Sequence, residues 1–412
     1  MKIRIDKESL SNFILYAALV AYIFFAILNA SFFVQKIPAG LFRLVSFSAL
    51  GAMVFVELLH LNFTRRTILS IPILLVLFAI SYKATGVFSN VSDVILFSYF
   101  LRRQPFETVA KVAWITSAFA LLFVVLSSCV GIIPNYIEAN KDRIRHYIGF
   151  RYSLFPSTVM LNISLIRFYL KKNAVKLYEL AILFLTNYWI FKQTDSRLTF
   201  YTTLLLILIW AVLKYFPKLI DRLRPLLSIF ILSYPFTFLT SLWFSFNYSQ
   251  VSSFQLMLNK LLVGRLYLMH KSMELYGFKL TGQMIPWVGN GLNTLGRVTH
   301  SSYLYMDNLY MQTLQRYGLI LVLAFVIGMT VVMYKLYRRR AMYLYIIFIS
   351  LAFHGLIDDL ISNLYYSIFP VLLGMLYVEH YHLSSKEQSE DKLEETAQDS
   401  DLSSPSPSRL KV

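Results

Sequence analysis

The chain has 412 residues, 57% of them hydrophobic and only 15% charged, with a mean hydropathy of +0.58. A soluble domain is nearer half apolar and a quarter charged, so composition argues against a soluble globular protein and equally against a disordered one. Lys and Arg number 39 against 22 Asp and Glu, a formal net charge of +17. In a soluble chain that excess would point to nucleic acid, whereas in a membrane chain it points to basic cytoplasmic loops. The single cysteine, Cys129, leaves no disulfide framework and no cysteine metal cluster.

A bilayer core of roughly 30 Å takes about 20 apolar residues as a helix. Twelve runs of that kind follow in chain order: about 11–34, 41–62, 67–83, 88–101, 109–133, 154–170, 175–192, 198–216, 226–246, 316–334, 341–356 and 361–379. The fourth is short and contains Asp93, which predicts a tilted, re-entrant or bundle-buried segment. The first is too long for a signal-peptide core and lacks a small-residue cleavage site, so it is expected to stay attached. The expected fold is an all-α polytopic membrane protein of about twelve transmembrane helices. It occupies residues 1–382, with one large outer loop, about 247–315, between the ninth and tenth spans. From Leu383 the chain turns polar, acidic and rich in Ser and Pro, which predicts a disordered cytoplasmic tail over 383–412.

Loop charge orients the spans. With the N-terminus inside, every inner segment is basic: Lys2, Arg4 and Lys7; Arg65 and Arg66; Arg102, Arg103 and Lys111; Arg167, Lys171, Lys172 and Lys176; Lys214, Lys218, Arg222 and Arg224; Lys335, Arg338, Arg339 and Arg340. The positive-inside rule asks for this pattern, and an even span count returns the C-terminus to the cytoplasm.

The outer segments are also rich in arginine: Arg143, Arg145, Arg151, Arg197, Arg265 and Arg297, with Arg316 at a helix start. Orientation does not explain these. A planar guanidinium carries a fork of donors that fits phosphate oxygens, so several together suit a pyrophosphate at the outer face. The alternatives for each are helix capping, pairing with a loop carboxylate, or headgroup contact. Arg197 opens the run LTFYTTLLLILIWAVL at a helix N-terminus, where a cation is disfavoured unless something negative is near. That partner is either Asp195 acting as N-cap or a bound phosphate. In the large loop, Val251 to Tyr276 has the spacing of an amphipathic helix lying on the bilayer or over the bundle. His354 and Asp358 are four apart, with Asp359 adjoining. They form either a polar cluster at a cleft or a capped helix end. Glu57 stands out as an acid within an apolar run. No His, Asp or Glu spacing makes a metal site.

In order along the chain, RIRHYIGFRYSLFPSTVM, TDSRLTFY, NKLLVGRLYLMHKSMELYGFKLTGQMIPWVGNG and MDNLYMQTLQRYGLIL resemble the outer segments and loop-to-helix junction of the O-antigen polymerase/O-antigen ligase superfamily, specifically its Wzy-type repeat-unit polymerases. The ligase branch carries His, then Asn, Ser or Gln, nine residues, then Gly. Here Asn308 precedes nine residues and Gly318, but the first position is Asp307; His300 at the same spacing meets Met311. The resemblance implies a C-type glycosyltransferase-like helical fold in the bacterial plasma membrane. It implies transfer of a glycan from undecaprenyl pyrophosphate to the non-reducing end of a second lipid-linked repeat unit, at the outer face, without metal, cofactor or nucleic acid. Expected partners are the lipid-linked oligosaccharide, membrane lipid, and a chain-length regulator or flippase of the same pathway.

The chemistry requires cations for the leaving pyrophosphate, for which Arg197, Arg265 and Arg151 are the candidates. It also requires a base for the acceptor hydroxyl, for which Asp307 is the candidate; its competing role is to cap the following helix. Asn308, Tyr310, His300, His354 and Asp358 are candidates for substrate contact. The rival functions are a ligase to another acceptor and a flippase of lipid-linked oligosaccharide, which would show related halves and ionisable groups at the midplane.

Overall fold

The computed structural model describes residues 7–60, 65–85, 90–140, 143–298 and 303–388, and within them most apolar runs become helices. The first five are α1 (Lys7–Asn29), α2 (Ala39–Leu59), α3 (Arg65–Thr85), α4 (Asn90–Phe100) and α5 (Phe106–Cys129). A short antiparallel hairpin follows, β1 (Ile137–Asn140) paired with β2 (Arg143–His146). Then come α6 (Leu154–Lys171), α7 (Leu177–Thr194), α8 (Arg197–Tyr215), α9 (Leu219–Leu227) and α10 (Ser233–Asn247), the last two joined through a 3-10 turn. The remainder is α11 (Ser253–Leu261), α12 (Arg265–Tyr276), α13 (Leu309–Tyr317), α14 (Leu319–Arg338) and α15 (Met342–His354).

Among the described residues, seven helices are long and apolar enough to cross a membrane: α1, α2, α3, α5, α8, the composite Leu219–Asn247, and α14. Their exposed faces require lipid. On α3 alone Ile68, Leu69, Ile73, Leu75 and Val76 are each more than half exposed. Burying such a side chain is worth about 1.5–3 kcal/mol, so in water this surface would be prohibitive. The chain is a helical membrane protein.

Five of the twelve expected runs are not among these seven. Residues 88–101 give only the eleven-residue α4, whose Asp93 accepts a 2.7 Å hydrogen bond from the Tyr22 hydroxyl of α1. Residues 154–170 and 175–192 become α6 and α7, eighteen residues each and interrupted by charge at Arg167, Glu179 and Lys192. Residues 341–356 become the thirteen-residue α15. The run 361–379 forms no α-helix; it contributes 3-10 turns at Leu360–Ser362 and Phe369–Leu376. Pro370 cannot donate to a helix, and its carbonyl instead accepts from the Ser98 hydroxyl of α4. Gly374 lies so close to α4 that a Cβ would sit 2.7 Å from the Ser98 carbonyl.

The large loop also differs from a single amphipathic helix. It is broken between α11 and α12 at Val263 and Gly264, both at positive φ. Its α11 half is amphipathic, with Phe254, Met257 and Leu261 exposed and Gln255 buried. Its α12 half packs Leu266, Met269 and Met273 inward against α10 and α13. At the expected start of the tail Leu383 is buried against the bundle, while residues 385–387 are exposed. Phe106 and Glu107 donate backbone hydrogen bonds to His382 and Leu383, and the Tyr169 hydroxyl also donates to Leu383. Residues 389–412 lie outside the described residues.

Glu57 is accounted for by a buried ion pair. Arg102 meets its carboxylate with both Nη atoms, at 2.5 and 3.0 Å, and lies over the Tyr99 ring.

Candidate functional site

The nine-residue spacing between Asn308 and Gly318 has a structural cause: it is the length of α13. Asn308, not Asp307, is the N-cap. Its Oδ1 accepts from the Met311 amide at 2.9 Å, and its Nδ2 donates to the Ser241 hydroxyl and the Leu356 carbonyl. Gly318 ends α13 and opens α14 at φ +95°, and a Cβ there would strike the Leu280 carbonyl at 2.4 Å. The 277–283 segment thus crosses the α13–α14 break at backbone contact, held by Leu319 and Ile320 amides on Lys279 and Leu280 carbonyls.

With the cap role taken, Asp307 is free to face outward. Two cavities meet at it. One, about 290 Å³, is lined by Arg143, Arg145, Arg197 and Arg265 together with Asp195, Asp307 and Asp358. The other, about 400 Å³, is lined by aromatic and polar groups: Trp287, Tyr305, Gln312, Arg151, Arg316 and Asp359 among them. Tyr152, Leu154, Asn290, Tyr303, Asp307 and Asp358 belong to both walls.

The four arginines of the first cavity come from three separate elements, β2, α8 and α12. Asp195 ends α7 in the left-handed region, φ +47°, and its carboxylate is shared by Arg143 of β2 and Arg197 of α8. Asp195 is therefore the C-cap of α7, and Ser196 is the residue that precedes α8. Burial pushes the Asp195 carboxyl up, but the two guanidiniums outweigh it and hold it below the usual carboxylate range. Arg145 lies 3.9 Å from Glu138, and its Nε is buried without a partner among the described residues. Arg265 opens α12 and donates from Nε to Asp307 Oδ2 at 3.4 Å. Each guanidinium has five N–H donors. Arg265 commits one to Asp307, and Arg197 is 63% exposed. The site thus presents many unclaimed donors to an anion in one pocket.

Asp307 also accepts from the Tyr303 hydroxyl at 3.3 Å. Burial, opposed by Arg265 and reinforced by Asp358, raises its carboxyl above the ordinary value. Asp358 accepts from His354 Nε2 at 3.0 Å and from the Leu360 amide, while His354 Nδ1 meets the Thr202 hydroxyl. The expected His354–Asp358 pair is made, with the histidine buried behind the carboxylate. Asp359 is fully enclosed and accepts from the Tyr305 hydroxyl and the Gln312 amide. Burial, with Asp307 and Asp358 nearby, lifts it to about 8.

Arg197, Arg265, Asp307 and Asp358 therefore come together. Arg151 falls on the other side, in the aromatic cavity, where it donates to the Leu292 and Asn29 carbonyls. Its guanidinium is held below its usual pKa by burial. Asn308 is consumed by capping. Tyr310 is fully buried, donating to the Ala352 carbonyl, and lines neither cavity. Substrate contact is thereby corrected for both: the helix turn that exposes Asp307 turns them inward. His300 lies outside the described residues. Among the described residues no group of three or more His, Cys, Asp or Glu is placed to hold a metal ion.

Sequence reasoning passed over Tyr303 and Tyr305. Their signal is the period of two in Tyr303, Tyr305, Asp307: an extended segment puts alternate residues on one face, and Val288 pairs with Leu304 as an isolated bridge to fix it. The chain matches no protein-family model, no curated protein and no solved structure.

Proposed function

We propose that this protein is a metal-independent glycosyltransferase of the polysaccharide repeat-unit polymerase type, working on lipid-pyrophosphate-linked glycans at the outer face of a bacterial plasma membrane. The observation that carries the reading is the pair of cavities meeting at Asp307, one lined by four arginines and the other by aromatic and hydroxyl-binding groups. The donor pyrophosphate occupies the arginine cavity. The acceptor sugar occupies the aromatic cavity, where rings offer faces to a pyranose and Asp307, Gln312 and Asn290 offer hydrogen-bonding groups.

In the transfer the acceptor hydroxyl oxygen forms a bond to the anomeric carbon. The bond from that carbon to the pyrophosphate oxygen breaks, and the electron pair leaves with the pyrophosphate. The hydroxyl proton passes to Asp307, whose carboxyl burial raises above its ordinary value. Arg265 and Arg197 stabilise the charge that develops on the leaving group. Arg265 and Asp307 touch at 3.4 Å, so the base and the anion-binding group lie side by side where the two cavities meet.

In this reading α4, α6, α7, α15 and the 3-10 segment after it complete twelve passages with both termini in the cytoplasm, and the pathway's flippase or a chain-length regulator is a neighbour. The test is reconstitution of the purified chain with a synthetic lipid-pyrophosphate-linked repeat unit. A ladder of longer products is expected. Single transfer to a different acceptor would indicate a ligase, and translocation without bond formation a flippase; either would overturn the proposal.

A further inference from the structure

A third cavity, about 430 Å³, lies at the far end of the bundle. Leu154 at the start of α6 lines the two cavities above, and Leu170 near its end lines this one. At about 1.5 Å rise per residue the separation is roughly 25 Å. The α15 helix spans the same gap in the opposite sense, from Met342 in this cavity to His354 behind Asp358.

Its walls carry Lys172, Arg339 and Arg340 against Glu107 and Glu387. Both carboxylates are engaged: Glu107 by Lys111 at 2.7 Å, Glu387 by the Leu383 amide at 2.7 Å. Arg339 donates to the Tyr381 carbonyl. The side chains of Lys172 and Arg340 make no hydrogen bond or ion pair among the described residues. Both residues sit at positive φ, +49° and +57°, a region L-residues enter at a cost, and it sets them at the rim. The cavity floor is Ala341–Leu344, the opening turn of α15, which no side chain caps. Its amide dipoles add to the positive field of the basic residues.

We propose that this cavity binds a phosphate group, carried by an anionic lipid headgroup or by a free phosphate. Lys172 and Arg340 neutralise it from the rim, Arg339 from the side, and the Tyr343 and Leu344 amides hold its oxygens, the Met342 amide being already bonded to the Arg340 carbonyl. The site is independent of the transfer proposed at the other end.

The test is hydrogen–deuterium exchange on the full chain in phosphatidylcholine nanodiscs, with two additions made separately: inorganic phosphate in the buffer, or phosphatidylglycerol in the bilayer. Exchange of peptides covering 339–344 and 383–388 is expected to slow at least fivefold in one arm or both. The phosphatidylglycerol arm alone marks a headgroup site, and protection by inorganic phosphate marks a site for a free phosphate. The Lys172→Gln/Arg340→Gln variant should lose the protection, while Lys218→Gln/Arg222→Gln, with equal charge loss elsewhere, should keep it. No protection in either arm, protection retained in the first variant, or equal loss in the second would overturn the proposal. Exchange over 143–152 reports the arginine cavity separately and verifies that each variant is folded.

Discussion

Two arginine–carboxylate pairs in this chain show how differently the same chemistry is used. Arg102 and Glu57 are closed off, with the arginine 3% exposed, doubly bonded to the acid and stacked on Tyr99. Arg265 and Asp307 make one contact of 3.4 Å at the junction of two cavities. The first pair has nothing left to offer a ligand. The second keeps most of its donors and acceptors unspent. Geometry, more than residue type, separates a structural ion pair from one placed to do chemistry.

Four variants sharpen that contrast, in descending order of effect. Arg102→Ala leaves Glu57 buried without its partner, which costs about 3–5 kcal/mol of stability; the loss should appear as reduced thermal stability and membrane yield. Arg265→Ala removes a donor to the developing anion, worth about 3–4 kcal/mol or a 10²–10³-fold loss of rate. Polymer should disappear while thermal stability stays near wild type, and Arg197→Ala should act in the same direction. Asn308→Ala removes the α13 cap, worth about 1–2 kcal/mol, and should lower stability with a proportionate rather than selective loss of activity. A selective loss in the last case would restore Asn308 as a substrate contact.

The acidic group at the site adds a pH test. Asp359 is raised to about 8 in the folded protein from an ordinary value of 3.8. The folded state therefore holds its proton more tightly than the unfolded chain. Its contribution is fully present below pH 4 and is lost as pH rises through about 8. Thermal stability should decline across that window, and Asp359→Asn should flatten the decline. An unchanged slope in the variant would remove Asp359 as its source.

Much of this was legible in the residues. Length and hydropathy located the seven long apolar helices, because a bilayer-spanning helix needs a continuous apolar run. Ser196–Arg197 marked the start of α8, and a helix was read to begin at Asp307, because caps use particular residues; its end at Gly318, before α14, was not read. What escaped was set by tertiary contact. The run 361–379 reads as a span, but Pro370 and Gly374 fit it against α4 as 3-10 turns. The β-hairpin that carries Arg143 to Asp195 and Arg145 into the same cavity lies in a stretch with no apolar period. Which of two adjacent residues, Asp307 or Asn308, caps the helix was decided by the reach of Ser241 and Leu356 toward the amide.

The central claim is that Asp307 takes the acceptor proton while the arginines hold the donor. It is tested most directly by measuring donor retention and transfer on one sample of Asp307→Asn, reconstituted with a lipid-pyrophosphate-linked repeat unit. The account predicts donor binding within a few-fold of wild type and no elongated product. A ladder equal to wild type would contradict it.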